Sequence, residues 1–153
     1  MEAIKIIDYL SRPHPGPTTG TAWELVTDRV MGGITTARLA REEVAGRSAL
    51  RLTGRVRLEN NGGFLQAALD LAPDGQGIDA RPFVGISLDV IGNGERYNLH
   101  LRTADVVRPW QSYRASFVAS RAWTQVRLPF ADFEPHRVEA PLDLSTLRRI
   151  GIR

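Results

Sequence analysis

The sequence predicts an all-β domain of two packed sheets, a β-sandwich of the jelly-roll kind, and three observations carry that prediction. Leu50, Leu52, Gly54, Val56 and Leu58 alternate with Arg51, Thr53, Arg55, Arg57 and Glu59, which gives an extended segment one apolar and one wet face. The same period of two returns at Ile86, Leu88 and Val90, at Tyr97, Leu99 and Leu101, and at Tyr113, Ala115 and Phe117. Between these runs stand turn-forming clusters about every 8–12 residues, and nowhere is there the apolar spacing of a long amphipathic helix.

In chain order, Ile4, Ile6 and Ile7 predict a first strand over residues 3–10, ended by the loop residues Pro13, Pro15, Gly16, Pro17 and Gly20. Trp23, Leu25, Val26 and Thr27 predict a short strand entering the turn Asp28-Arg29-Val30-Met31-Gly32-Gly33, and Ile34, Thr35, Thr36 and Leu39 predict one leaving it. A second turn, Asn60-Asn61-Gly62-Gly63, returns the long alternating strand into a largely apolar one from Phe64 to Leu71. Gly92-Asn93-Gly94 reads as a hairpin turn between the Ile86 and Tyr97 runs. Pro129 confines the strand from Trp123 to Phe130 to an edge or an end, Asp143 or Ser145 caps a single helical turn, and Arg149 to Ile152 forms the last strand.

The two glycine turns echo one another. Paired glycines supply positive φ and allow a closer approach than any Cβ permits, so Asp28, Met31, Gly32, Gly33, Asn60, Asn61, Gly62, Gly63 and Phe64 are read as a structural motif. Neither turn is a phosphate loop, because no Gly-Lys-Ser/Thr follows to bring a lysine and a hydroxyl to the phosphates.

Composition narrows the function. A chain of 153 residues predicts one domain over 1–153 with a self-sufficient core. Without cysteine there is no disulfide framework and no thiol chemistry. Glu2, Lys5 and Asp8 interrupt the first apolar run, and no segment approaches the ~20 apolar residues of a membrane span, so the expectation is a soluble, cytoplasmic protein. Lys5 is the only lysine among 20 basic residues, but the arginines are scattered singly among acidic residues, which argues against nucleic acid as a partner.

No catalytic set and no metal or cofactor site emerges. His14, His100 and His136 lie far apart in the chain, and Ser112, Ser116 and Ser120 lack a nucleophile-elbow pattern. A binding face is easier to build. With Tyr97, Leu99 and Leu101 inward, Asn98, His100 and Arg102 share the other face, joined by Arg114 and Ser116 of the next strand and by Ser87 and Asp89 of the preceding one. With Trp110 or Tyr113 as a stacking wall, Asn98, His100, Arg102, Trp110 and Arg114 are the candidate ligand-binding residues for a sugar or other small polar ligand; the plainer reading is the wet face of an antiparallel sheet.

Trp23 with Asp28-Arg29-Val30-Met31-Gly32-Gly33, then Glu59-Asn60-Asn61-Gly62-Gly63-Phe64, Gly92 with Gly94 and Tyr97, Tyr113 with Phe117, and Trp123 with Leu128-Pro129-Phe130 and Phe133 together resemble the CIA30 family, the complex I intermediate-associated protein 30 domain. The resemblance implies a galactose-binding-like jelly roll and a non-catalytic role like that of factors assisting assembly of respiratory NADH:ubiquinone oxidoreductase, with a client protein or respiratory subunit as partner. It carries over no catalytic residues. Two departures stand out: Arg29 occupies a position where the family commonly has glycine, and the family continues beyond Ile150-Gly151-Ile152 into a further strand. The second implies an open sheet edge beside Ile4, Ile6 and Ile7, at which a second copy or a client strand would pair.

Overall fold

A computed structural model describes residues 5–10, 16–56 and 63–153, with the backbone alone at Met31. Ten strands are seen among these: β1 (Glu24–Thr27), β2 (Thr36–Val44), β3 (Arg47–Arg55), β4 (Leu65–Asp70), β5 (Gly85–Val90), β6 (Arg96–Thr103), β7 (Ser112–Val118), β8 (Thr124–Pro129), β9 (Glu134–His136) and β10 (Leu147–Ile152). The only helical elements among the described residues are short 3-10 turns, one of them over Leu144–Thr146 with the Asp143 carboxylate accepting from the Ser145 N–H at 3.0 Å. No described helix is long and apolar enough to cross a membrane.

One layer is a six-stranded antiparallel sheet in the order β1-β4-β10-β6-β7-β9. Opposite it lie two two-stranded antiparallel pairs, the hairpin β2–β3 and the non-consecutive strands β5 and β8. These pairs are tied side by side: the Trp123 indole N–H donates to the Val44 carbonyl at 3.1 Å, and the Arg47 guanidinium sits 4.5 Å from the Trp123 ring and 3.0 Å from Asp89. The core fills the space between the layers. Leu69, Leu99, Leu101, Tyr113, Ala115, Phe117 and Ile150 of the large sheet meet Leu128 and Phe130, with Ile86, Leu88, Val90 and Val126 packed against them. The Tyr113 hydroxyl leaves this core to donate to the Ala140 carbonyl at 2.6 Å, pinning the loop before β10.

Period-two segments became strands because each presents one apolar edge to this core, and the jelly roll predicted from them is the fold. Their pairing differs in four places. Residues 5–10 form no strand; the Ile7 carbonyl instead accepts from the Thr18 N–H at 2.7 Å, bracing the segment against the following loop. Consequently the open edge expected beside the first strand is not found among the described residues: β10 is enclosed by β4 and β6, and the sheet edges are β1 and β9. Gly92-Asn93-Gly94 is not a hairpin, since β5 pairs with β8 in the other layer; Gly94, with φ of 82°, bonds to Ala119, and the chain crosses between sheets. The β2–β3 hairpin turns at Ala45 and Gly46, both at positive φ, a turn that Ala-Gly does not announce.

The two glycine motifs prove to be one structure. Asp28 is fully buried, and its carboxylate accepts from the backbone N–H of Gly63 at 2.5 Å, Phe64 at 3.2 Å and Thr35 at 3.0 Å, and from the Thr35 hydroxyl. Burial alone would raise this carboxyl, but those four donors outweigh it and hold the group below its ordinary value. The glycines divide the work expected of both. Gly32 takes the left-handed conformation with φ of 86°, whereas Gly33 has no positive φ and is small because a Cβ there would come within 2.8 Å of the Asp28 Cβ. Gly63 keeps the positive φ expected of it, at 133°. Asn60, Asn61 and Gly62 lie outside the described residues.

Gly32→Ala should therefore destabilise by the about 1–2 kcal/mol of a left-handed non-glycine residue, and Gly33→Ala, which drives a Cβ into the Asp28 side chain, by more than that. Urea unfolding of the two variants measures the difference, and equal midpoints would contradict the close approach.

Candidate functional site

The outward face of the six-stranded sheet is polar because its strands alternate. Along β6 the inward Tyr97, Leu99, Leu101 and Thr103 leave Asn98, His100 and Arg102 outward; along β7, Tyr113, Ala115 and Phe117 leave Ser112, Arg114 and Ser116 outward. Register then aligns Glu24, Ala68, Gly151, His100, Arg114 and Glu134 in one row across the sheet. On one side of it Arg153 exchanges both backbone bonds with Asn98 at 2.9 Å, and Asn98 faces Ser116. On the other, Asp70, Arg149 and Arg102 are aligned.

Small residues at the middle of the row let long side chains lie over the sheet. A Cβ on Gly151 would fall within 2.8 Å of the Gln66 amide carbon, and the Gln66 side-chain oxygen accepts from Arg153 Nε at 3.0 Å. The Arg153 guanidinium also lies 4.2 Å from the centre of the Phe64 ring, a cation–π contact. Arg149 is ion-paired, to Asp70 at 2.8 Å and Glu24 at 3.0 Å. Among the described residues Arg102, Arg114 and Arg153 have no carboxylate in ion-pair range. Burial and the neighbouring guanidinium groups lower the proton affinity of Arg102 and Arg153, the signature of cations crowded without counter-charge.

His100 stands at the centre of this cluster. It is 6% exposed, its Nδ1 is 2.8 Å from the Ser112 hydroxyl, and its Nε2 is buried without a partner. Burial, and then the positive charges of Arg153, Arg114 and His136, push its pKa down to about 3. The Ser112–His100 pair therefore lacks the proton affinity a general base needs at neutral pH.

Beside the cluster an open cleft of about 400 Å³ is lined by Asn98, Arg114, Ala115, Ser116, Asp132 and Glu134. Of the residues expected at the site, Asn98, His100, Arg102 and Arg114 are brought together on this face, with His100 buried where an exposed side chain was expected. Trp110 is apart from the cleft lining: it is half exposed in the loop after β6, 5.6 Å from the Arg108 guanidinium, and that loop touches the face where Arg102 donates to the Pro109 carbonyl at 3.3 Å. Ser87 and Asp89 belong to β5 in the other layer. Asp132, Glu134 and Arg153 were not expected; β9 is too short to show alternation, and Arg153 reaches the face only through pairing of β10 with β6.

Residues 14–153 match the family model described as Complex I intermediate-associated protein 30 (CIA30). The chain belongs to the CIA30 family. Its resemblance to that family, carried by the two glycine motifs, is thus established over nearly the whole chain. No curated protein matches it in sequence. Among solved structures it is similar to the family 11 carbohydrate-binding module of a cellulosomal cellulase of Clostridium thermocellum, at TM-score 0.72 and 15% identity over 99% of this chain and 85% of that one. It is also similar to the family 11 module from Clostridium thermocellum in complex with a β-1,3-1,4-mixed-linked tetrasaccharide, at TM-score 0.59 and 15% identity over 90% of this chain and 80% of that one. At such identity these likenesses show that the CIA30 chain has the jelly-roll fold of those modules, and no more.

Within the CIA30 domain, His100 gives a signed pH dependence. The unfolded chain binds a proton at His100 as pH falls through 6.5, while the folded chain refuses it until about 3, so stability is full above the first value and declines toward the second. The slope from this one group is at most about 1.4 kcal/mol per pH unit. His136, lowered by burial and by Arg114 and Arg137, acts in the same sense, so the parent is compared with His100→Gln. Urea unfolding across this window should show a shallower slope in the variant; identical slopes would mean that His100 ionises freely in the folded state.

Proposed function

We propose that this CIA30 domain, over residues 1–153, is a non-catalytic binding module of the complex I assembly-factor type, which holds a client polypeptide on the outer face of its six-stranded sheet. The family match over residues 14–153 carries this reading. The face supports it: unpaired arginines suit recognition of a protein partner, arginine being enriched at interfaces. His100, held weakly basic by its burial and the neighbouring cations, is poorly suited to act as a base at neutral pH, which supports a binding role.

A second reading, a small saccharide in the cleft, is favoured by the polar lining of Asn98, Ser116, Asp132 and Glu134 and by the carbohydrate-binding modules that share the fold. It ranks lower because no aromatic ring among the described residues lines the cleft, and sugar recognition leans on a ring as its apolar platform.

The test is a deletion strain of the source organism. Membranes are assayed for NADH:ubiquinone oxidoreductase activity, and assembly intermediates are separated by native electrophoresis. Loss of activity with accumulation of a partial complex, restored by the parent gene, is the expected result. Unchanged activity and an unchanged native pattern would remove the assembly reading and leave the saccharide one, which a glycan array then examines.

A further inference from the structure

The outer face is electrically divided. Toward its centre stand Arg102, Arg114 and Arg153 without carboxylate partners; at its β9 edge stand Asp132 and Glu134, lining the same cleft as Arg114. Arg114 and Glu134 are directly opposite in register, yet they make no ion pair. Each is thus open to a group from outside.

We propose that the His100, Arg114 and Arg153 cluster, together with the Asp132 and Glu134 wall of the adjoining cleft, forms a dipolar site for an extended peptide bearing one carboxylate and one cationic side chain two residues apart, on the same face of the peptide. The inference rests on the client-polypeptide reading and names the chemistry of the contact. Arg114 and Arg153 receive the carboxylate as charge-assisted donors. Where the Ser112 hydroxyl donates to Nδ1, the buried and unpartnered Nε2 of His100 carries the ring proton, and its N–H dipole adds to the positive potential of the cluster. Arg114 is exposed and makes no side-chain bond to a described residue, so it is free to turn over an entering group.

The spacing follows from the sheet. From His100 on β6 to Glu134 on β9 is two strand intervals, β6 to β7 to β9. At about 4.8 Å per interval this is about 10 Å; side chains two apart in an extended peptide share a face about 7 Å apart along the chain, and the lengths of the two side chains cover the rest. A polyanion is disfavoured, because Asp132 and Glu134 repel its second charge. The groups facing His100 are Arg153 from β10, Arg114 and Ser112 from β7, and His136 from β9. An entering carboxylate offsets the first two charges, so binding raises the titration midpoint of His100.

The probe is the peptide acetyl-Gly-Glu-Gly-Lys-Gly-amide, titrated into the full chain and followed by NMR. Expected are saturable shifts at Asn98, His100, Arg114 and Ser116, an upward move of the His100 midpoint, and a loss of affinity of at least about tenfold when glutamine replaces the glutamate. Arg114→Gln, at an exposed side chain that the fold does not use, should cost a similar factor, and Glu134→Lys should shift preference to the peptide with glutamate in both positions. Equal binding of the glutamine peptide, or unchanged binding by Arg114→Gln, overturns the proposal. So does a mixed-linkage glucan tetrasaccharide that shifts these residues when the peptide does not. A silent peptide with a deletion strain that still fails to assemble the respiratory complex overturns this site alone; peptide binding as expected with normal assembly keeps the site and removes the complex I client.

Discussion

The interaction on which the rest depends is the buried carboxylate of Asp28. A charge taken out of water is tolerated only when its lone pairs are met by donors, and here a hydroxyl and three backbone N–H groups meet them. Those donors come from two places far apart in sequence, the turn after β1 and the entry to β4. Asp28 is therefore a weld between the edge of the six-stranded sheet and the strand beside it, and Gly33 is small so that the weld can close.

That weld reaches the outer face of the six-stranded sheet. The N–H of Phe64 is one of the four donors to Asp28, and the ring of Phe64 carries the guanidinium of Arg153. Arg153 is in turn held to Asn98 and Gln66 and charges the surroundings of His100. A motif that reads as purely structural thus sets the position of a cation at the site. The usual division between scaffold and site residues fails here, because one backbone segment serves both.

The electrostatics of the face follow from strand order. Bringing β10 between β4 and β6 places Arg149 and Arg153 beside Arg102 and Arg114, residues that the chain spreads over fifty positions. Arg149 is satisfied by Asp70 and Glu24, but the others share a half-buried surface with a histidine kept neutral first by its own burial and then by their charges. Such a surface has more to gain from an oxyanion than a scatter of solvated arginines would.

The sequence alone determined the layers. Alternation at Leu99, Leu101, Tyr113, Ala115 and Phe117 fixes which side of each strand is apolar, and burying those sides requires a second sheet; period two is a local property, so it is legible without the fold. The outward grouping of Asn98, His100, Arg102 and Arg114 follows from the same alternation, and the paired glycines after Asp28 mark their turn by residue type alone. Tertiary structure alone decided the rest. It made Gly92-Asn93-Gly94 a crossing between sheets, left residues 5–10 without a strand, moved Ser87 and Asp89 to the other layer, and brought Arg153, Asp132 and Glu134 to the face. It also buried His100, an outward residue set in register between Gly151 and Arg114. Which strand lies beside which is settled by burial summed over the whole core, and no local pattern of residues encodes that sum.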